Sequence, residues 1–282
     1  MTPTAAFKTS DAEVRDIEIS LLLEAIFRRY GYDFRGYARA SVTRRMEQFM
    51  QDNNNIPLLE ATSRLLHDRN YFHRIVPYFS VSVTSLFRDP SFYVGLREKV
   101  IPLLRTWPNF KVWHAGCATG EEVYSMAILL QEQGLLERAQ LYATDISQAA
   151  LDTAKSGIYS LDTLRKGSTN YHQALGGSSL SDYYHVRYNA AAMSAELRRR
   201  ITFAQHNLVT DKAFGEMQLV VCRNVLIYFN DELQNRVLEL LWESLEFGGL
   251  LCLGDKETLT FSPMASRFQV VDERNRIYKK GA

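Results

Sequence analysis

Along the first part of the chain, apolar residues recur at helical spacing. In "DAEVRDIEISLLLEAIFRRYGYDF" (residues 11–34), Ile17, Leu21, Leu22 and Ala25 share one face, Asp11 stands where an N-cap belongs, and Gly31 ends the run. "GYARASVTRRMEQFMQDNNN" predicts a second helix with an Asn-rich stop, and "IPLLEATSRLLHD" and "NYFHRIVPYF" predict two shorter ones. After Phe79 the pattern changes. "FKVWHAG", "AQLYATDIS", "MQLVVCRN", "GGLLCLGDKE" and "RIYKK" read as strands; helical stretches beginning near Glu121, Gln148 and Asn230 separate the first four. Such alternation predicts βαβ crossovers, a mostly parallel sheet covered by helices on both faces, and ligands beyond the carboxyl ends of the strands. Chemistry is therefore expected at Ala115–Gly120, at Asp145 and at Arg223–Tyr228. One stretch breaks the alternation: "YYHVRYNAAAMSAELRRRITF", about residues 183–203, reads as a small antiparallel insertion.

Composition narrows the classes. With 282 residues the chain holds one large domain or two modest ones. Lys+Arg number 33 against 32 Asp+Glu, which argues against a general polyanion binder, so no nucleic-acid partner is expected. No apolar run approaches the ~20 residues that span a bilayer, and the N-terminus lacks the apolar core of a signal peptide. Cys117, Cys222 and Cys252 are far apart and match no zinc spacing; no histidine pair brackets a carboxylate at helical spacing. A reduced cytoplasm and no metal are expected.

The loop "GCATGEE" (residues 116–122) is glycine-containing, yet it is neither a P-loop nor a GxGxxG fingerprint. It contains no Lys or Arg, and Glu121 and Glu122 follow it directly, which disfavours phosphate. Asp145 ends the next strand, where an acid usually accepts ribose hydroxyls. A ribose, a neutral adenine and a cationic amino-acid tail describe S-adenosylmethionine. The alternative is a tight turn with a solvated acid pair.

"TSLFRD" (84–89), "GCATGEE", "ATDIS" (143–147), "HNL" (206–208) and "CRNVLIYF" (222–229) occur in this order. With them the whole chain resembles the chemotaxis receptor methyltransferases of the CheR family; "CRNVLIYF" is the most specific piece. The resemblance implies an α/β protein. A helical N-terminal domain (1–79) and a linker contributing to the active site (80–90) would precede a Rossmann-like methyltransferase domain (91–282) that carries the β-subdomain. It implies methylation of glutamate side chains on the cytoplasmic helical bundle of chemoreceptors, with S-adenosylhomocysteine as product, by a monomer that does not enter the membrane. Residue by residue, it implies cofactor contacts from Ser82, Thr84 and Arg88 in the linker, Ala115, Gly116 and Glu121 at the loop, and Asp145 and Ile146 at the second strand. Asn207, Leu208, Arg223 and Asn224 complete the set, and Arg88 with Tyr228 would lie beside the transferred methyl.

A carboxylate nucleophile is already ionised at neutral pH, so the reaction needs no strong base. It needs the acceptor desolvated and aimed, which an Arg and a Tyr hydroxyl can do. Read alone, Arg88 would pair with Asp89, Tyr228 and Trp113 would be core, and His114 a packed histidine. Arg39, Arg44 and Arg45 lie on a basic helix that in this family faces the acidic methylation region; a solvated face is the other reading. The sequence departs from the family pattern at Val123, where proline is common, and at "GDKE" (254–257), where Gly-His-Ser-Glu is common, so that segment receives no role. "RYNAAAMSAEL" lacks the Gly-x-Gly turn of members that grip a receptor's C-terminal pentapeptide, which predicts independence of that tether. Two other functions remain open: a cofactor-binding scaffold without turnover, and carboxyl methylation of a protein outside chemotaxis.

Overall fold

Helix-forming stretches with one apolar face need a partner face to bury it against, and the amino-terminal part of the chain supplies four such helices. The computed structural model describes residues 10–79, 84–175, 177 and 179–281. It divides into two units, residues 1–81 with 228–233, and residues 82–227 with 234–282.

The first unit contains α1 (Asp11–Tyr30), α2 (Arg39–Asp52), α3 (Leu58–His67) and α4 (Arg69–Phe79). The N-cap of α1 is Ser10 rather than Asp11: its hydroxyl accepts from Glu13 N–H and the Glu13 carboxylate accepts from Ser10 N–H, a reciprocal capping box. Gly31 closes the helix at φ 79°. The buried stripe is Ile19, Leu22, Leu23 and Ile26, whereas Ile17 and Leu21 are half exposed. In "IEISLLLEAIF" two overlapping stripes satisfy helical spacing, and packing on α3 selects the one that the sequence pattern did not. Beyond the end of α2 lie Asn54 and Asn55, both in the left-handed region, which asparagine tolerates well. Residues 228–233 join this unit by pairing with the segment before α2: Ala38 N–H donates to the Tyr228 carbonyl and Asn230 N–H to the Gly36 carbonyl, each at 2.8 Å.

The second unit opens with α5 (Pro90–Gly95) and α6 (Ile101–Leu104). Then follow β1 (Phe110–Ala115), α7 (Glu121–Glu132), β2 (Ala139–Asp145), α8 (Gln148–Ser156), β3 (Ile158–Ser160), α9 (Leu161–Ala174), β4 (Tyr184–Arg187), β5 (Ala190–Met193) and α10 (Ala195–Arg198). It closes with β6 (Ile201–Gln205), β7 (Met217–Cys222), α11 (Asp231–Glu243, which starts in the first unit), β8 (Leu245–Leu253), β9 (Phe268–Asp272) and β10 (Ile277–Lys280). The large sheet has the order β6-β2-β1-β7-β8-β10-β9. Its first five strands run parallel, and β10 is antiparallel to both neighbours. Val112, Leu141, Leu219 and Leu250 on the strands and Val123, Ala127 and Ile128 on α7 belong to one buried core.

The small antiparallel sheet has the order β3-β5-β4. It therefore begins at Ile158, well before residue 183, and residues 201–203 belong to the large sheet, paired with β2. Helix α9 was hidden because its sequence, "LDTLRKGSTNYHQA", carries residues of weak helix propensity. Gly167 is required there, since a Cβ would stand 2.8 Å from that of Leu86. No described helix is long and apolar enough to cross a membrane.

Candidate active site

The carboxyl ends of β1, β2, β6 and β7 gather most of the sequence-predicted residues. After Ala115 the chain turns at Gly116 (φ 79°) and Gly120 (φ 93°) before entering α7. A Cβ on Gly116 would meet Val225 at 2.6 Å, so loop and the "CRNVLIYF" segment touch at a point where only glycine fits. Asp145 is buried and fixes the loop: Oδ2 accepts from Ala118 N–H and Oδ1 from Ser147 N–H, both at 2.9 Å. Each oxygen retains acceptor capacity for a further donor such as a ribose hydroxyl. Burial pushes the Asp145 carboxyl up, against the backbone donors of Ser147, Ala118 and Ile146. Glu121, also buried and also raised by that burial, accepts from the Thr119 hydroxyl at 2.6 Å.

The expected acid pair is divided. Glu122 takes Arg223 Nη1 and His114 Nδ1, each at 3.1 Å. Burial pushes its carboxyl up, but the His114 hydrogen bond and the Arg223 charge outweigh that and hold it below its ordinary value. Arg223 also donates Nη2 to Asp89 at 2.6 Å and lies 4.0 Å over the Phe92 ring. Asp89 is thus partnered by Arg223, and the acidic second residue of the loop is neutralised inside the protein. His114 is fully buried, as a packed histidine should be. Burial pushes the Cys117 and Cys222 thiols well above their ordinary value, so neither is a thiolate nucleophile at neutral pH.

Asn207 and Leu208 follow β6, where His206 N–H donates to the Asp145 carbonyl. Asn207 Oδ1 accepts from Val209 N–H at 3.0 Å, closing a turn beside the aspartate. Ile146 holds Gln205 through its carbonyl.

One residue given no role in the sequence organises "CRNVLIYF". Glu257, 4% exposed, accepts from the backbone N–H groups of Gly254, Asn224, Val225 and Leu226 at 2.6–2.9 Å, and from Ile227 at 3.4 Å. Asn224 sits at φ 60°, a conformation that this ring of donors holds in place. A Cβ on Gly254 would stand 2.8 Å from both Asn224 N and Glu257 Oε2. The signal was present in "GDKE": glycine and glutamate keep the ends of the family's Gly-His-Ser-Glu, and only the interior differs.

Tyr228 follows directly and belongs to the first unit, whereas Arg88 belongs to the second. The Tyr228 ring lies under the Arg45 guanidinium at 4.6 Å. Arg45 is buried, not on the solvated face expected for a docking helix; Arg44 is exposed, and Arg39 is ion-paired with Asp16. The helix turn explains the split: Arg45 shares a face with Val42, Met46 and Phe49. Thr84 and Arg88 are half-buried, and Ser82 lies outside the described residues.

A parallel sheet whose ligand-facing ends carry a cation-free loop and buried carboxylates suits a nucleoside with a positively charged tail, the cofactor of a methyltransferase. The sequence agrees over nearly the whole chain: residues 82–277 match the family model for the CheR methyltransferase, SAM binding domain, and residues 17–69 that for the CheR methyltransferase, all-alpha domain. The chain belongs to the CheR methyltransferase family and carries its S-adenosylmethionine-binding domain. It is 49% identical to a putative methyltransferase, Cher3, of Pseudomonas putida, over 94% of this chain and 97% of that one. It is 31% identical to a chemotaxis protein methyltransferase of Vibrio anguillarum, over 76% and 79% of the two chains. It is 30% identical to chemotaxis protein methyltransferase 1 of Pseudomonas aeruginosa, over 79% and 83%.

Proposed function

We propose that this protein methylates glutamate side chains of chemoreceptors, with S-adenosylmethionine as donor. The observation that carries the reading is the commitment of the groups at these strand ends. Asp145 and Glu257 are held by backbone donors, Glu121 by Thr119, and Glu122 by Arg223 and His114; the thiols are protonated. The carboxylates and thiols there are thus committed or protonated, and a carboxylate acceptor needs no base to deprotonate it. The chemotaxis names of the Vibrio and Pseudomonas aeruginosa relatives support the choice of substrate.

The cofactor supplies a sulfonium methyl. Transfer of that methyl to a carboxylate oxygen would release S-adenosylhomocysteine and give a neutral ester. Glu121 and Asp145 would hold the cofactor's polar groups, with Thr84, Asn207, Asn224 and the backbone around Gly116 and Ile146 beside them. Arg88 and Tyr228 would aim the acceptor. The partner is the cytoplasmic helical bundle of a receptor, reached through exposed Arg44. No pentapeptide tether is used, because the β4–β5 hairpin turns at Tyr188 (φ 54°) and Asn189 without a glycine. The test is mass-spectrometric mapping of methylated residues after incubation with purified receptors. Modification of bundle glutamates supports the reading, and modification of another residue type contradicts it.

A further inference from the structure

Strand β6 ends the large sheet, with β2 as its neighbour on one side. Leu141 N–H donates to the Arg200 carbonyl at 3.1 Å, and His206 N–H to the Asp145 carbonyl at 3.2 Å. In a parallel ladder of that register, the N–H and C=O groups of Thr202 and Ala204 face β2, and those of Ile201 and Phe203 face outward. Among the described residues, no further strand takes up these outward groups. A cleft of about 560 Å3 opens beside this edge, lined by Ile201, Thr202 and Phe203, by Lys155 of α8, and by Arg198 and Arg199 at the end of α10. No acid lines it. Its three cations are exposed, and the acids nearby are engaged elsewhere: Glu137 pairs with Arg200, and Asp152 accepts from Gln148. All these residues belong to the second unit. In a chain with 33 basic and 32 acidic residues, such a cluster is a local field and not a share of general basicity. Charge on a sheet edge deters apolar strands, but charge of one sign leaves the edge open to a strand of the other sign.

We infer that the β6 edge is a docking site for an acidic extended segment of a partner protein, which adds a strand beside β6 and sets its carboxylates against Lys155, Arg198 and Arg199. Backbone pairing with Ile201 and Phe203 supplies the hold, and the three cations select the partner. This edge belongs to the large sheet and not to the β3-β5-β4 sheet, and the inference does not depend on which side chain the enzyme methylates. Ile201–Phe203 form the amino-terminal part of β6, whereas Asn207 and the other cofactor residues follow its carboxyl end. A docked strand therefore leaves the cofactor site accessible and holds the enzyme to its partner while it works.

The probe is a hexapeptide alternating glutamate and valine, blocked at both ends, titrated into the full chain beside its glutamine–valine counterpart. The glutamate peptide should bind about tenfold more tightly than the glutamine one, and added salt should weaken it. Amide exchange should slow at Ile201 and Phe203 and stay unchanged at Thr202, whose N–H already faces β2. The triple variant Lys155→Ala, Arg198→Ala, Arg199→Ala alters exposed side chains alone, so it should bind S-adenosylhomocysteine like wild type and lose the preference for glutamate. Equal affinity for the two peptides, or an undiminished preference in the triple variant, overturns the proposal. Inorganic pyrophosphate that binds as tightly as the glutamate peptide, with neither amide slowed by the peptide, shows a small-anion site and also overturns it. So does the absence of binding. Should the variant fail to bind S-adenosylhomocysteine, the wild-type protein decides: glutamate preference together with slowed exchange at Ile201 and Phe203 supports the edge, and either one without the other overturns it.

Discussion

At the scale of single residues, the functional reading depends on where carboxylates find their donors. Asp145 holds Ala118 and Ser147 and keeps acceptor capacity for a ribose. Asp145→Ala removes acceptors of charged strength, worth about 1.5–3 kcal/mol, or one to two decades of affinity for S-adenosylhomocysteine. Calorimetry on the folded variant checks this, and unchanged affinity would remove Asp145 from the site. Glu122 offers a pH test. Its folded pKa lies below the ordinary 4.5, so the stability it contributes is fully present above pH 4.5 and is lost as pH falls through the folded value. Glu122→Gln should therefore cost about 3 kcal/mol near neutrality, with the gap to wild type closing on acidification. Urea denaturation at neutral pH and at several values below 4.5 measures it; a gap that stays constant contradicts the assignment. These partnerships were not legible in sequence. Glu122, Arg223 and Asp89 are far apart along the chain, and only the fold shows that Arg223 stands between both acids.

At the scale of elements, the sequence pattern disclosed the four amino-terminal helices and the strands β1, β2 and β7, whose apolar runs are long or flanked by glycine turns. It lost what was short or locally ambiguous. Strand β3 has only three residues, and β6 reads like the end of a hairpin until β2 is placed beside it. The stripe of α1 was misassigned because two faces are apolar, and Arg39, Arg44 and Arg45 were read together as one receptor-facing or solvated face, although Arg45 is buried and Arg44 exposed. Glu257 shows how much one side chain does for an element. Replacing it with glutamine leaves several buried N–H groups short of an acceptor, so Glu257→Gln should lower stability by roughly 3 kcal/mol in urea unfolding. Loss of turnover should accompany it, because the segment it clamps leads into Tyr228. A variant as stable and active as wild type would show the clamp to be dispensable. The β4–β5 hairpin carries its own expectation. Lacking a glycine turn, it should not grip a receptor tail, so deleting the C-terminal residues of a receptor should leave its methylation rate unchanged; micromolar binding of tail peptides would contradict this.

At the scale of the whole molecule, both family domains are present in order, and the motifs that carry the resemblance all lie within the two described units. Fold and cofactor were readable because backbone demands leave marks: glycines where a Cβ would collide, an acid at the strand end, a loop without cations. The acceptor leaves no such mark, since a carboxylate nucleophile requires no base. It has to be identified by its product. The most direct measurement is incubation of purified protein and receptor with tritiated S-adenosylmethionine, followed by alkali. The account predicts label on the receptor that alkali releases as volatile methanol, the signature of a carboxyl ester. Tyr228→Phe should lose most of this transfer while binding S-adenosylhomocysteine like wild type. Label that resists alkali, or cofactor binding with no transfer to any receptor, would contradict it.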